Sequence, residues 1–166
     1  MDGATAKRVS IRGTIRLGLT IGRAIRAARE AHADVFERIV ETLTATDYAA
    51  VMRPLEAGAG GVMAAQIRSA REAAQFIHWS KFHPLGLRGV NGTGVDGRYG
   101  TLPVAEYFQK ANAETFIAIQ IEHKDAVEEV EQIAALPGVD VLFVGPADLS
   151  QSMGLVGAWD HPLIWA

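Results

Sequence analysis

Phe116-Ile117-Ala118-Ile119-Gln120-Ile121 and Val139-Asp140-Val141-Leu142-Phe143-Val144 are two near-continuous apolar runs. Between them, residues 125–136 carry Val127, Val130, Ile133 and Ala134 on one helical face, and Pro137-Gly138 stops the pattern. Strand, helix and strand read as a βαβ unit. Continuous rather than alternating apolar strands fit a parallel sheet covered on both faces. A right-handed crossover points the two strands the same way. Glu122 directly follows the first strand, and Asp148 lies four residues after the second, in Gly145-Pro146-Ala147-Asp148-Leu149-Ser150. Both carboxylates therefore emerge at the carboxyl end, where barrels and open α/β sheets bind their ligands.

Two carboxylates converging there suit a hard divalent cation, Mg²⁺ or Mn²⁺, whose other positions go to water and substrate oxygens. Gln120 is polar within an apolar strand. A buried amide needs partners, and a substrate carboxylate or keto oxygen supplies one. Spacing alone leaves plainer alternatives open: Glu122 can cap the next helix, and Asp148 can close an Asx turn. His123 adjoins Glu122, but neighbours diverge at a strand end. His78 falls on a helix, His83 precedes a proline and His161 lies near the C-terminus. No HExxH motif, nucleophile elbow or Ser-His-Asp arrangement is present.

Working outward, Thr46 or Asp47 caps a helix that runs to Glu56 and stops at Gly58, with Pro54 near its end. Residues 61–67 read as a short buried strand. Ser69-Ala70-Arg71-Glu72 is a capping box that opens a helix to about Phe82, ended by His83-Pro84. Residues 87–90 read as a short strand entering a Gly-rich stretch, residues 88–100. Its glycines can bring backbone amides to an anion or simply form a long connection. Residues 103–113 read as a helix. Residues 23–40 can form a helix with Ile25, Ala28, Ala31 and Val35 as its stripe, and nothing in residues 1–44 reads as a strong strand.

A chain of 166 residues, 49% hydrophobic and 21% charged, fits one globular domain. It has no cysteine, which excludes disulfides, iron–sulfur clusters and thiol nucleophiles. No apolar run approaches the ~18 residues of a membrane span, and no secretory segment follows the start, so a cytoplasmic protein is expected. Residues 1–30 carry seven basic and two acidic side chains, whereas the rest of the chain carries nine basic and seventeen acidic. That acidic remainder would repel a phosphate backbone, so no nucleic-acid partner is expected.

Four segments, in this order and spacing, resemble the HpcH/HpaI aldolases. They are Pro54-Leu55-Glu56-Ala57-Gly58-Ala59 leading to Gly61-Val62-Met63, Pro84-Leu85-Gly86-Leu87-Arg88-Gly89, Gln120-Ile121-Glu122, and Gly145 to Ser150. These are class II, metal-dependent pyruvate aldolases of the 4-hydroxy-2-oxoheptanedioate and 2-keto-3-deoxy-sugar-acid type. The resemblance covers about residues 44–161. It implies an α/β fold, a partial (β/α)₈ TIM barrel with roughly the third to sixth βα units present, since a full barrel needs about 250 residues. It also implies a homo-oligomer, a Mg²⁺ or Mn²⁺ cofactor, and an aldehyde-lyase that cleaves or forms 4-hydroxy-2-keto acids. Pyruvate or another 2-keto acid and an aldehyde would be its substrates, with a pyruvate enolate between them.

Carried over residue by residue, Glu122 and Asp148 would be the metal ligands. Gln120, the backbone N–H of Ala147 and Asp148 would hold the keto acid. Glu56 falls where the family often has an Asp that tunes a catalytic His. A family Arg that stabilises developing charge aligns with Thr42, or with Arg38 after a four-residue shift. Residues 1–43 lack the family's acidic–Glu–His motif; Glu30-Ala31-His32 is not that motif. The expectation is therefore an atypical basic segment, 1–43, of the kind a frameshift or misassigned start gives, and a partial aldolase domain, 44–166, truncated at both ends. Two further readings stand beside it. One is an inactive fragment that binds metal or keto acid, or folds only in an oligomer. The other is a citrate-lyase-β-like CoA-ester lyase.

Overall fold

The computed structural model describes residues 40–44 and 47–165. Four strands, β1 (Val40–Thr44), β2 (Gly61–Ala65), β3 (Phe116–Ile121) and β4 (Val141–Val144), form one sheet in the order β1-β2-β3-β4. Every pairing is parallel, with Val40 opposite Gly61, Gly61 opposite Phe116 and Ala118 opposite Val141. Right-handed crossovers that always step the same way put the helices on one face. That is how a β/α barrel winds, whereas a doubly wound sheet reverses its order at a switch point.

Helix α1 (Tyr48–Glu56) starts where the Asp47 side chain accepts the Ala49 N–H, and α2 (Ala70–Ser80) starts where Ser69 accepts the Glu72 N–H. Glu72 returns its carboxylate to the Arg68 N–H at 2.8 Å, one residue earlier than a regular capping box. Helix α3 (Val104–Glu114) leads into β3. Val51 and Leu55 of α1, Ala73, Phe76 and Ile77 of α2, and Ile117, Ile119 and Ile121 of β3 form one buried core. Alternation along β3 turns Ala118 and Gln120 to the opposite face.

The segment expected as one helix over residues 125–136 is two, α4 (Lys124–Glu128) and α5 (Val130–Ala134). The break falls at Glu129, which leaves helical geometry at φ −106°, ψ 12°. Its carboxylate accepts the Ala70 N–H at 2.7 Å, an orphan donor in the first turn of α2. Strand β4 begins two residues later than expected, since Asp140 is occupied with Ile117 through both its backbone N–H and its carboxylate. Helices α6 (Pro146–Ser152) and α7 (Pro162–Trp165) follow.

Three further expectations are corrected. β1 is a strand that sequence reading missed; Val-Glu-Thr-Leu-Thr has no apolar run, and its pairing with β2 supplies the regularity. Residues 87–90 are not a strand: Leu87 N–H donates to His78 O and Arg88 N–H to Lys81 O, folding the segment back on the end of α2. Nor, among the described residues, is the second face of the sheet fully covered, since Phe143, paired with Gln120 on the face opposite the helices, is 47% exposed. Residues 1–39, with Arg38 and all but the last residue of the helix expected over 23–40, lie outside the described residues; residues 40–43 of segment 1–43 belong to β1.

The Gly-rich stretch is anchored at the amino end of the sheet. Arg88, whose side chain is only 2% exposed, pairs with Asp96. Asp96 also accepts from the Tyr107 hydroxyl, and the Arg88 guanidinium lies 4.7 Å from the centre of the Phe82 ring. The stretch therefore closes on an ion pair.

Candidate active site

Glu122 follows β3 at the carboxyl end of the sheet and is 2% exposed. Its Oε1 accepts the Gln66 backbone N–H at 2.7 Å and the Gln66 Nε2 at 3.1 Å. Its Oε2 is buried without a hydrogen-bond partner. Burial pushes the Glu122 pKa up; the Gln66 backbone donor opposes this, and the facing Asp148 carboxylate adds to it. Asp148 sits in the first turn of α6. The two carboxylates share a cleft of about 190 Å³ with Gln66, Arg68, His123 and Gln151.

Gly145 lies against Glu122 and Gln120. A Cβ there would lie 2.6 Å from Glu122 Oε2 and 3.1 Å from Gln120 Nε2. Glu122 and Gln120 thus converge beside Gly145, and the exposed Ala147 precedes Asp148 in the same helical turn. Gly145→Ala is expected to push the Glu122 side chain from its position and weaken Mn²⁺ binding at least about 10-fold while the chain still melts cooperatively. Titration calorimetry checks this; unchanged affinity would mean that the carboxylate moves aside at no cost.

The plainer readings that spacing left open can be checked against the caps. Glu122 does not cap α4; His123 does, accepting the Asp125 N–H at its Nδ1 at 3.2 Å. Asp148 lies inside α6, beyond the capping position held by Gly145. Glu56 is not brought to this cleft. It ends α1 at the amino end of the sheet, and the five or six residues of a strand separate the two ends by roughly 17–20 Å. There Glu56 adds to the electrostatic environment of the buried Tyr107. A part in tuning a base at the carboxyl end is corrected on that ground.

Sequence reading passed over Gln66 and Gly145. Gln66 carried a weak signal, a polar residue closing an apolar run. The role of Gly145 depends on side chains from another strand and had no local signal. The loops at this end are joined, since Lys124 N–H donates to Ser152 Oγ at 3.0 Å and Ala70 N–H to Glu129.

The sequence model of the HpcH/HpaI aldolase/citrate lyase family matches residues 4–164. The chain belongs to this family. A hydroxypyruvate/pyruvate aldolase from Paraburkholderia phytofirmans is 44% identical over 115 residues, covering 67% of this chain and 44% of that protein. A hydroxypyruvate/pyruvate aldolase from Sagittula stellata is 36% identical over 120 residues, covering 72% and 47%. The crystal structure of an HpcH/HpaI aldolase/citrate lyase family protein from Burkholderia cenocepacia superposes with a TM-score of 0.69 at 40% identity, over 75% of this chain and 49% of that one. This HpcH/HpaI family chain therefore has the α/β, parallel-sheet, TIM-barrel-like fold of its relatives. It spans about half the length of the curated relatives it matches. Among the described residues, no helix is long and apolar enough to cross a membrane.

Proposed function

We propose that this chain carries the metal and keto-acid site of a pyruvate aldolase, an aldehyde-lyase cleaving or forming 4-hydroxy-2-keto acids with an aldehyde partner. One observation carries the reading: Glu122, with Oε2 buried and unpartnered, is set against Asp148 at the carboxyl end of a parallel sheet. Two like charges facing each other around an oxygen with no donor fit a hard divalent cation, Mg²⁺ or Mn²⁺. Glu122 and Asp148 would hold it. When bound, such an ion supplies Lewis acidity toward the keto oxygen and carboxylate of a 2-keto acid. Gln120, on the sheet face opposite the helices, offers its amide to the substrate oxygens. The Ala147 N–H, in the first turn of α6, has no acceptor earlier in that helix and is placed to donate to the substrate carboxylate. A partial barrel of roughly the third to sixth βα units, the division into segments 1–43 and 44–166, a cytoplasmic location and a homo-oligomer belong to the same proposal.

Thermal melts of the full chain with Mn²⁺ and pyruvate test it. A ligand that binds only the folded state stabilises it by about 2.7 kcal/mol at a hundred times its Kd. A melt raised by Mn²⁺, and raised further by pyruvate, is the expected outcome; a melt indifferent to both would sink the reading. Exchange of the pyruvate methyl protons in D₂O then separates turnover from binding. A second reading, binding without turnover, is favoured by His123. It is the one imidazole of the cleft among the described residues, and its Nδ1 is spent on capping α4. Cleavage of a CoA ester would indicate the citrate-lyase-like alternative.

A further inference from the structure

We propose that Gln66 is a positioning residue for Glu122, and that its two donors determine which carboxylate oxygen Glu122 presents to a divalent cation. This inference rests on the reading of Glu122 and Asp148 as the cation's ligands. Gln66 follows the last residue of β2 and adopts φ +58°, in the left-handed region that non-glycine residues seldom occupy. Its side chain is exposed, so burial of that side chain does not account for the conformation. The conformation has a different yield. Backbone N–H and side-chain amide reach the same atom, Glu122 Oε1, at 2.7 Å and 3.1 Å.

A carboxylate oxygen has two lone-pair sites. Two donors fill those of Oε1, which leaves Oε2 as the oxygen free to coordinate. Oε2 is the atom that is buried, unpartnered and pressed close to Gly145, beside Asp148. Ligating carboxylates are commonly held by hydrogen bonds of this kind, and loss of the outer partner lowers metal affinity about 10–100-fold. The donors come from the end of β2 and the ligand from the end of β3, so neighbouring strands fix the rotamer jointly.

The experiment is Mn²⁺ titration calorimetry on the full chain and its variants, with a melt of each metal-free protein as the fold control. Gln66→Met keeps length and volume but removes the amide, and an exposed side chain can change without opening a cavity. Its Mn²⁺ affinity is expected to fall about 10-fold or more, with an unchanged metal-free melt. Gln66→Gly loses the same amide and keeps the same backbone donor but takes the same φ without strain, so a comparable loss is expected, which assigns the effect to the amide and not to the backbone conformation. Wild-type Mn²⁺ affinity in Gln66→Met, while Glu122→Gln loses it, overturns the inference and spares the site. A lowered melt with unchanged affinity likewise reduces Gln66 to a structural part. Wild-type affinity in both Glu122→Gln and Asp148→Asn overturns the site reading and the inference together. Should Gln66→Met fail to fold, wild-type affinity in Gln66→Gly overturns the inference in its place.

Discussion

Glu122→Gln is expected to abolish Mn²⁺-dependent exchange of the pyruvate methyl protons, a loss on the order of 10³-fold or more, because several kcal/mol of charge stabilisation depends on the ligand set and each 1.36 kcal/mol is tenfold. The same substitution should leave the metal-free melt unchanged or raise it. The reason lies in the burial of Glu122. Burial and the facing Asp148 both disfavour the ionised form of Glu122, and an amide of the same shape removes both the desolvation and the repulsion. Asp148→Asn should give the same loss of exchange. The opposed signs make the test sharp. A structural carboxylate would lose stability and activity together, whereas a ligand site loses activity and gains stability. Retention of metal-dependent exchange by either variant would show that the cation is held elsewhere.

The second large effect lies at the other end of the sheet. Asp96→Ala should destabilise the chain by about 3–5 kcal/mol, the cost of leaving a buried charge without its partner. Arg88 is nearly sealed from solvent; it loses its counterion in this variant, and Tyr107 loses the acceptor of its hydroxyl proton. Single domains have only about 5–15 kcal/mol in hand, so the variant should melt far below the wild type or not fold. Urea melts measure this. Arg88→Met with Asp96→Leu, which removes both charges, should recover much of the loss. A double variant as weak as the single one would show that packing around Phe82, not charge, holds the loop. The cleft of Glu122 and Asp148 lies at the opposite end of the sheet, so a folded Asp96 variant is expected to keep whatever Mn²⁺ affinity the wild type has.

These two predictions mark the division between what was legible in the chain and what was not. The β3 and β4 runs are apolar enough to read as buried parallel strands, and direction alone then places Glu122 and Asp148 at one end. Position follows from topology, so it survives small errors in element bounds; β4 began late and Asp148 was still in place. β1 was illegible because its regularity comes from pairing with β2. Helix 125–136 was misread as continuous because the break at Glu129 answers to an N–H of α2, far away in sequence. Gln66 acts by reaching across to the next strand, and Arg88 closes on Asp96 within a stretch that reads as a plain loop. Each of these depends on contacts between segments, to which periodicity is blind. Glu56 differs for a further reason: a motif position says nothing of the end of the sheet at which its helix finishes.

The hydrogen bonds among the loops at the carboxyl end run in series. Gln66 and Ala70, on either side of the β2–α2 turn, reach Glu122 and Glu129; Lys124, between those two, reaches Ser152. The three loops are laced like panels along one seam. Loosening any stitch slackens the next, so these three loops form one wall and not three. A substrate would meet a mouth whose sides give way in concert or hold together.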